Sequence, residues 1–211
     1  SEAVVDACNR AYFAHGQPRR LNWAELSREV DRLSLHLLQR GLRKDDVLLA
    51  QMPNSVEQHI TYLACARLGL VLSPVPVQYR AHELGHVLEL TQAAAVVSFE
   101  RIARHDALAM WQSLAGTHAH LRHVLHWGGA GSLDELPWCD EGGRQRLAQA
   151  EREAAVTAND VFTVCWTSGT EAVPKGVPRS HNEWLVVAPS IIEAADLKPG
   201  ARLLNPFPLI N

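Results

Sequence analysis

Residues 167–176 read Thr167-Ser168-Gly169-Thr170-Glu171-Ala172-Val173-Pro174-Lys175-Gly176, directly after the mostly apolar run 161–166. The run reads as a buried strand. The ten residues after it carry three hydroxyls, two glycines and a lysine. A backbone freed by glycine can turn its N–H groups around an anion; hydroxyls add donors and the ammonium adds charge. That combination suits a polyphosphate, with an ordinary polar turn as the alternative reading. Two known phosphate loops are excluded. A Walker A loop ends in Gly-Lys-Ser/Thr, whereas Pro174 precedes Lys175 here and Gly176 comes after it. A dinucleotide fingerprint needs other glycine spacings and a helix that opens at once.

Outward from this stretch, strand and helix patterns alternate. Residues 2–14 predict an amphipathic helix with Val4, Val5, Cys8 and Ala11 on one side, ended by Gly16-Gln17-Pro18. Asn22 with Glu25 forms a capping-box pattern for a second helix, with Leu26, Val30, Leu33 and Leu37 on its apolar face and Gly41 at its end. Residues 47–52 read as a strand. Asn54 with Glu57 opens a third helix, with Val56, Ile60, Leu63 and Leu68 inward and Gly69 as the stop. Strands are expected at 70–75, 94–99 and 121–127, and helices at 81–90 and 106–114. Residues 128–143 read as a loop and 145–154 as a short charged helix. After the glycine-bearing stretch come a helix over 181–195 and a last strand over 203–205. This alternation predicts an α/β fold, a mainly parallel sheet with helices on both faces.

Composition bounds the function. The chain has 211 residues, 47% hydrophobic and 20% charged, with a formal net charge of -3. It can bury a sizeable core, and its charge argues against a nucleic-acid partner. No apolar run approaches the roughly 20 residues that span a bilayer, so no transmembrane segment is expected. Cys8, Cys65, Cys139 and Cys165 are widely and irregularly spaced, which fits reduced thiols and a cytoplasmic setting. Cys165, inside the 161–166 run, reads as a small buried apolar residue. His118, His120, His123 and His126 crowd together, but their spacing matches neither a zinc helix nor a zinc finger, so no metal site is expected. The charges between Asp134 and Glu153 read as a solvated face.

The stretch Thr-Ser-Gly-Thr-x-x-x-Pro-Lys-Gly resembles the signature of the AMP-forming adenylating enzymes: acyl- and aryl-CoA ligases, adenylation domains of peptide synthetases, and luciferases. The resemblance continues in order from about residue 20. It includes Leu21-Asn22-Trp23-Ala24-Glu25-Leu26, Pro53-Asn54-Ser55, Ala64-Cys65-Ala66-Arg67-Leu68-Gly69, Pro74-Val75 through Tyr79-Arg80, Glu83-Leu84, and Ser180-His181-Asn182.

The resemblance implies that residues 1–211 form the N-terminal part of an acyl-CoA-ligase-like large domain. The rest of that domain, the C-terminal domain and the catalytic residues are expected beyond Asn211. It implies an ATP-dependent carboxylate–CoA ligase with ATP, magnesium and CoA as cofactors and a fatty or aromatic carboxylic acid as substrate. Adenylation for a carrier protein and a non-catalytic nucleotide-binding module are the alternatives. Thr167, Ser168 and Thr170 would donate to phosphate oxygens, Gly169 would admit the backbone, and Lys175 would offset charge unless it is a solvated surface lysine. Glu171 stands where threonine is commonest; it would repel polyphosphate unless it turns away or helps hold magnesium. Ala172 replaces a usual glycine, and Trp166 replaces a usual tyrosine, read as a packing change. Asn211 falls where the family often has a histidine near the acyl pocket, and equally reads as a simple chain end. The piece by itself is expected to be inactive, with a homodimer as a possible assembly through uncovered apolar surface.

Overall fold

The computed structural model describes residues 1–167 and 174–210. Its centre is a six-stranded sheet. β3 (Val47–Gln51) runs through the middle, with β4 (Val71–Pro74) on one side and β5 (Ala95–Phe99) on the other. β8 (His123–Trp127) lies outside β5; β9 (Val161–Thr167) and β10 (Lys175–Ser180) lie outside β4. Every pairing is parallel except that of β10, which returns antiparallel to β9. The central strands are apolar because both faces are covered: Leu48, Leu49, Ala50, Ala95, Val96 and Val97 are all 0% exposed.

Two helical layers cover the sheet. α1 (Trp23–Gln39), α2 (Val56–Leu68) and α5 (Glu141–Ala154) pack on one another; α3 (Ala81–Thr91) and α4 (Ala107–Ala115) form the other group. Right-handed crossovers produce this division. The connection β3–α2–β4 steps one way along the sheet and β4–α3–β5 steps back, so α2 and α3 lie on opposite faces. The α1 capping box is present, Asn22 Oδ1 accepting from Glu25 N at 2.9 Å and Glu25 Oε2 accepting from Asn22 N at 2.8 Å. α6 (His181–Ala194) is opened by Ser180 and Glu183 in the same way. α6 packs on β10 and leaves Leu185, Val186, Val187, Ile191 and Ile192 exposed.

The structure corrects the reading of the N-terminus. Residues 2–14 are not a helix: β1 (Glu2–Val5) pairs antiparallel with β2 (Arg20–Asn22), and only Arg10–Tyr12 make a 3-10 turn. The β-branched Val4 and Val5 suit the ribbon. The deciding force is a buried charge network. Asp6 and Glu57 bracket the Arg10 guanidinium, with Glu57 Oε2 and Oε1 accepting at 2.8 and 2.9 Å. Arg19 joins Glu57 at 3.0 Å and also pairs with Glu29, which in turn holds Arg32 at 2.5 Å. Asp6 further accepts from the backbone N–H of Arg19 at 2.9 Å and of Val56, the first residue of α2, at 2.8 Å.

Other boundaries differ from expectation for local reasons. The cap of α2 is Ser55, not Asn54; its hydroxyl accepts from Gln58 N at 3.2 Å. Asn54 instead clasps the last described residues, donating to Phe207 O at 2.7 Å and accepting from Leu209 N at 2.9 Å. α5 starts at Glu141 because Asp140 caps Gly143 N at 2.6 Å. Gly143 looks like a helix breaker in sequence, but a Cβ there would lie 2.6 Å from Leu35 Cδ2. A side chain there would force Leu35 of α1 to shift. The 128–143 stretch is therefore not all loop: a 3-10 turn occupies Leu133–Glu135, and the Arg32 guanidinium donates to the carbonyls of Asp134 and Leu136. The strand expected at 203–205 is absent among the described residues; Leu203 and Leu204 are exposed with no strand beside them. Two short strands, β6 (Arg101–Ile102) and β7 (His105–Asp106), form a small hairpin before α4.

Burial alone would raise the carboxyl pKa of Glu57, but the hydrogen bonds and charges of Arg10 and Arg19 outweigh it and hold the group below its ordinary value of 4.5. A carboxylate depressed in this way stabilises the fold above its unfolded pKa and loses that contribution as pH falls through the folded one. The urea midpoint should therefore stay level from pH 7 down to about 4.5 on this group's account and fall below it. Glu57→Gln should lack that part of the acid slope. At pH 7 it should cost about 3–5 kcal/mol, because it strands buried guanidinium charge. A loss under about 1 kcal/mol, as for an exposed pair, would contradict this account.

Candidate functional site

Because β9 is parallel to β4, its last residue, Thr167, lies at the carboxyl end of the sheet. Ligands of open α/β sheets gather at that end. The chain then returns as β10, with Lys175 directly opposite Thr167. Directly opposed residues of an antiparallel pair share a face. Thr167 and Lys175 are both exposed, and the Thr167 hydroxyl donates to the Lys175 carbonyl at 3.4 Å. The structure thus places a hydroxyl and an ammonium at the mouth of one hairpin. Of the other expected site residues, Ser168, Gly169, Thr170, Glu171 and Asn211 lie outside the described residues.

The root of the hairpin is built more firmly than the sequence suggested. The Trp166 indole N–H donates to Ser73 Oγ on β4 at 2.8 Å, so this residue is a hydrogen-bonding tie as well as packing. Gly176 lies across from Trp166; a Cβ there would come within 2.8 Å of Val164 Cγ1 and 3.3 Å of the Trp166 ring. The next strand can lie against the indole only because Gly176 has no side chain. Lower down, Trp184 of α6 donates to Thr163 Oγ1 at 2.9 Å. The His181 ring stacks on Phe162 with centroids 4.6 Å apart, and Asn182 donates to Asn159 Oδ1 at 2.8 Å. The Ser180-His181-Asn182 segment thus fastens α6 to the base of the hairpin.

A residue that sequence reasoning missed ties several segments together at the same end of the sheet. Gln51, at the carboxyl end of β3, donates to the carbonyls of Pro76 and Tyr79 at 3.1 Å each, and accepts from the Trp111 indole at 3.0 Å. Its own carbonyl accepts from Ser98 Oγ at 3.0 Å. The only available signal was one polar residue ending an apolar run.

The donor set at the hairpin mouth fits an anion: a hydroxyl and an ammonium, with no carboxylate among its described residues. Cys165 is buried and unbridged, and all four cysteines are free thiols. The His118 and His120 rings meet edge to face at 5.8 Å, and His126 Nδ1 lies 2.9 Å from the Gly128 carbonyl. Among the described residues no three His, Cys, Asp or Glu side chains gather closely enough to hold a metal ion. No described helix is long and apolar enough to cross a membrane.

Comparison with known proteins identifies the family. The long-chain-fatty-acid–CoA ligase FadD13 of Mycobacterium tuberculosis is 29% identical over 211 residues, covering 99% of this chain and 39% of its own length. A salicyl-AMP ligase / salicyl-S-ArCP synthetase of the same organism is 29% identical over 186 residues, covering 87% of this chain and 31% of its own length. The chain thus spans about a third of the length of the curated relatives it matches. The solved N-terminal domain of FACL13 from Mycobacterium tuberculosis superposes with a TM-score of 0.70 over 91% of this chain and 45% of that one, at 22% identity, which shows a shared fold. The profile of the AMP-binding enzyme family matches residues 2–210, and the chain belongs to that family of adenylating enzymes.

Proposed function

We propose that this chain supplies the phosphate-binding wall of an ATP site in an AMP-forming carboxylate–CoA ligase. The observation that carries the reading is the pairing of Thr167 with Lys175 at the carboxyl end of the sheet, on the hairpin that bears the family's phosphate signature.

In the reaction, a carboxylate oxygen of the acid attacks the α-phosphorus of ATP. The bond to the bridging oxygen breaks, pyrophosphate leaves, and an acyl-adenylate forms. The CoA thiol, losing its proton, then attacks the acyl carbon and AMP departs. Negative charge grows on pyrophosphate as the first bond breaks. Lys175, with the hydroxyls of Thr167, Ser168 and Thr170, would stabilise that charge more in the transition state than in bound ATP. Gly169 would let the backbone approach the phosphates. Magnesium, when bound with ATP, would neutralise part of the phosphate charge. Glu171 is the carboxylate nearest in sequence that could face it. The named relatives act on long-chain fatty acids and on salicylate, so a fatty or aromatic acid is the substrate class we assign.

Transfer to a carrier-protein thiol is the second reading, favoured by the carrier-loading relative. The Thr-Ser-Gly-Thr-Glu opening favours CoA. The site works in the cytoplasm, where its four free thiols stay reduced.

The full-length protein, given Mg·ATP and separate samples of palmitate, propionate and salicylate, should release pyrophosphate with at least one acid. Silence across that panel and further chain lengths would sink the assignment. Lys175→Ala and Thr170→Ala should each slow adenylation by about 100-fold. Thioester formation from a supplied acyl-adenylate should change far less. Replacing CoA with a phosphopantetheinylated carrier distinguishes the two acceptors.

A further inference from the structure

We infer that Trp166 and Ser73 form a positioning pair, setting where Thr167 and Lys175 stand and hence how tightly the site holds ATP. The inference rests on the phosphate-binding role proposed above.

The first observation concerns the sheet. β3 meets β4 through four registered pairs, and β5 meets β8 through five. β9 meets β4 through one, Leu72 with Thr163. That pair lies at the far side of β9 from the loop. Among the described residues the registered pairing of β9 with β4 thus lies near the start of β9, and none is recorded at its last residues. β10 pairs with β9 and, among the described residues, with no other strand, and it is exposed along nearly its whole length.

The second observation is a side-chain tie at the loop end of β9. Trp166, one residue before Thr167, is 4% exposed and Ser73 is 0% exposed. Their 2.8 Å hydrogen bond is the buried polar link between the loop end of β9 and the rest of the sheet. The same indole forms the floor against which Gly176 packs, next to Lys175. One side chain thus governs both strands of the hairpin, β9 through its own backbone and β10 through contact. A hydrogen bond fixes orientation more sharply than apolar contact does, because its strength falls steeply with angle. Without the indole N–H, no other described partner serves the buried Ser73 hydroxyl, and the Trp166 ring can tilt. A tilt there shifts Thr167 and Lys175 together.

The test uses the full-length protein and its best acid. Trp166→Phe keeps a ring but removes the donor; Ser73→Ala removes only the acceptor. Each should raise the KM for ATP about fivefold to tenfold, the weight of one lost hydrogen bond. The KM for the acid should stay within about twofold, within the ordinary scatter of an uncoupled site. The double variant should be no worse than either single, since both remove one bond. An unchanged ATP KM in folded variants overturns the proposal, and so do additive losses. Ser73→Ala carries the test alone if Trp166→Phe fails to fold. Amide hydrogen exchange adds a readout independent of activity. Trp166→Phe should speed exchange about tenfold at residues 166–167 and 175–177 while β3 and β5 keep wild-type rates. Unchanged exchange overturns the anchoring role even if the wild-type protein releases no pyrophosphate, whereas that silence alone counts against the ligase reading.

Discussion

A closed set of buried charges holds the N-terminal segment and the helical layer beneath it in place. Arg32, Glu29, Arg19, Glu57, Arg10 and Asp6 alternate in sign, so three guanidinium groups meet three carboxylates. Such a network adds little net stability over an apolar core of the same shape, but losing one member is severe. Its effect here is geometric. It draws residues 2–19 onto α1 and the first turn of α2, and Asp6 caps a free N–H at that helix start. α2 leads directly into β4, and β4 carries Ser73. The position of the hairpin mouth therefore traces back, through one helix and one strand, to charges at the opposite side of the layer.

Much of the fold was legible in the sequence because it arises from period. The α1 face of Leu26, Val30, Leu33 and Leu37 and the apolar runs of β3 and β5 state their own burial. The failures occurred where long-range partners decide. Asp6 and Arg10 have helical spacing and pair with each other, yet their further partners are Arg19, Val56 and Glu57, and no local window contains those. Gly143 looks like a breaker until the closeness of Leu35 is known. β10 was hidden by Pro178 and Gly176, which suit an edge strand but not the usual strand pattern.

The site was legible to a different degree. Its proposed chemistry rests on ten consecutive residues whose hydroxyls, glycines and lysine suit an anion, and of these the structure describes Thr167 and 174–176. Its framework was not legible. That Trp166 donates to a serine 93 positions away, and that Gln51 ties together segments around Pro76, Ser98 and Trp111, are facts of topology. Tryptophan in place of tyrosine read as bulk, when its N–H is the part with a specific task.

Pro178 has one more effect. β10 is a rim of the sheet, and a rim offers its unpaired backbone to any passing strand. Proline has no N–H to contribute, and Lys175 and Arg179 set positive charge along the same six residues. An incoming strand would meet an interrupted donor row and, if basic, repulsion. The rim that carries Lys175 is thus a poor template for sheet growth between molecules.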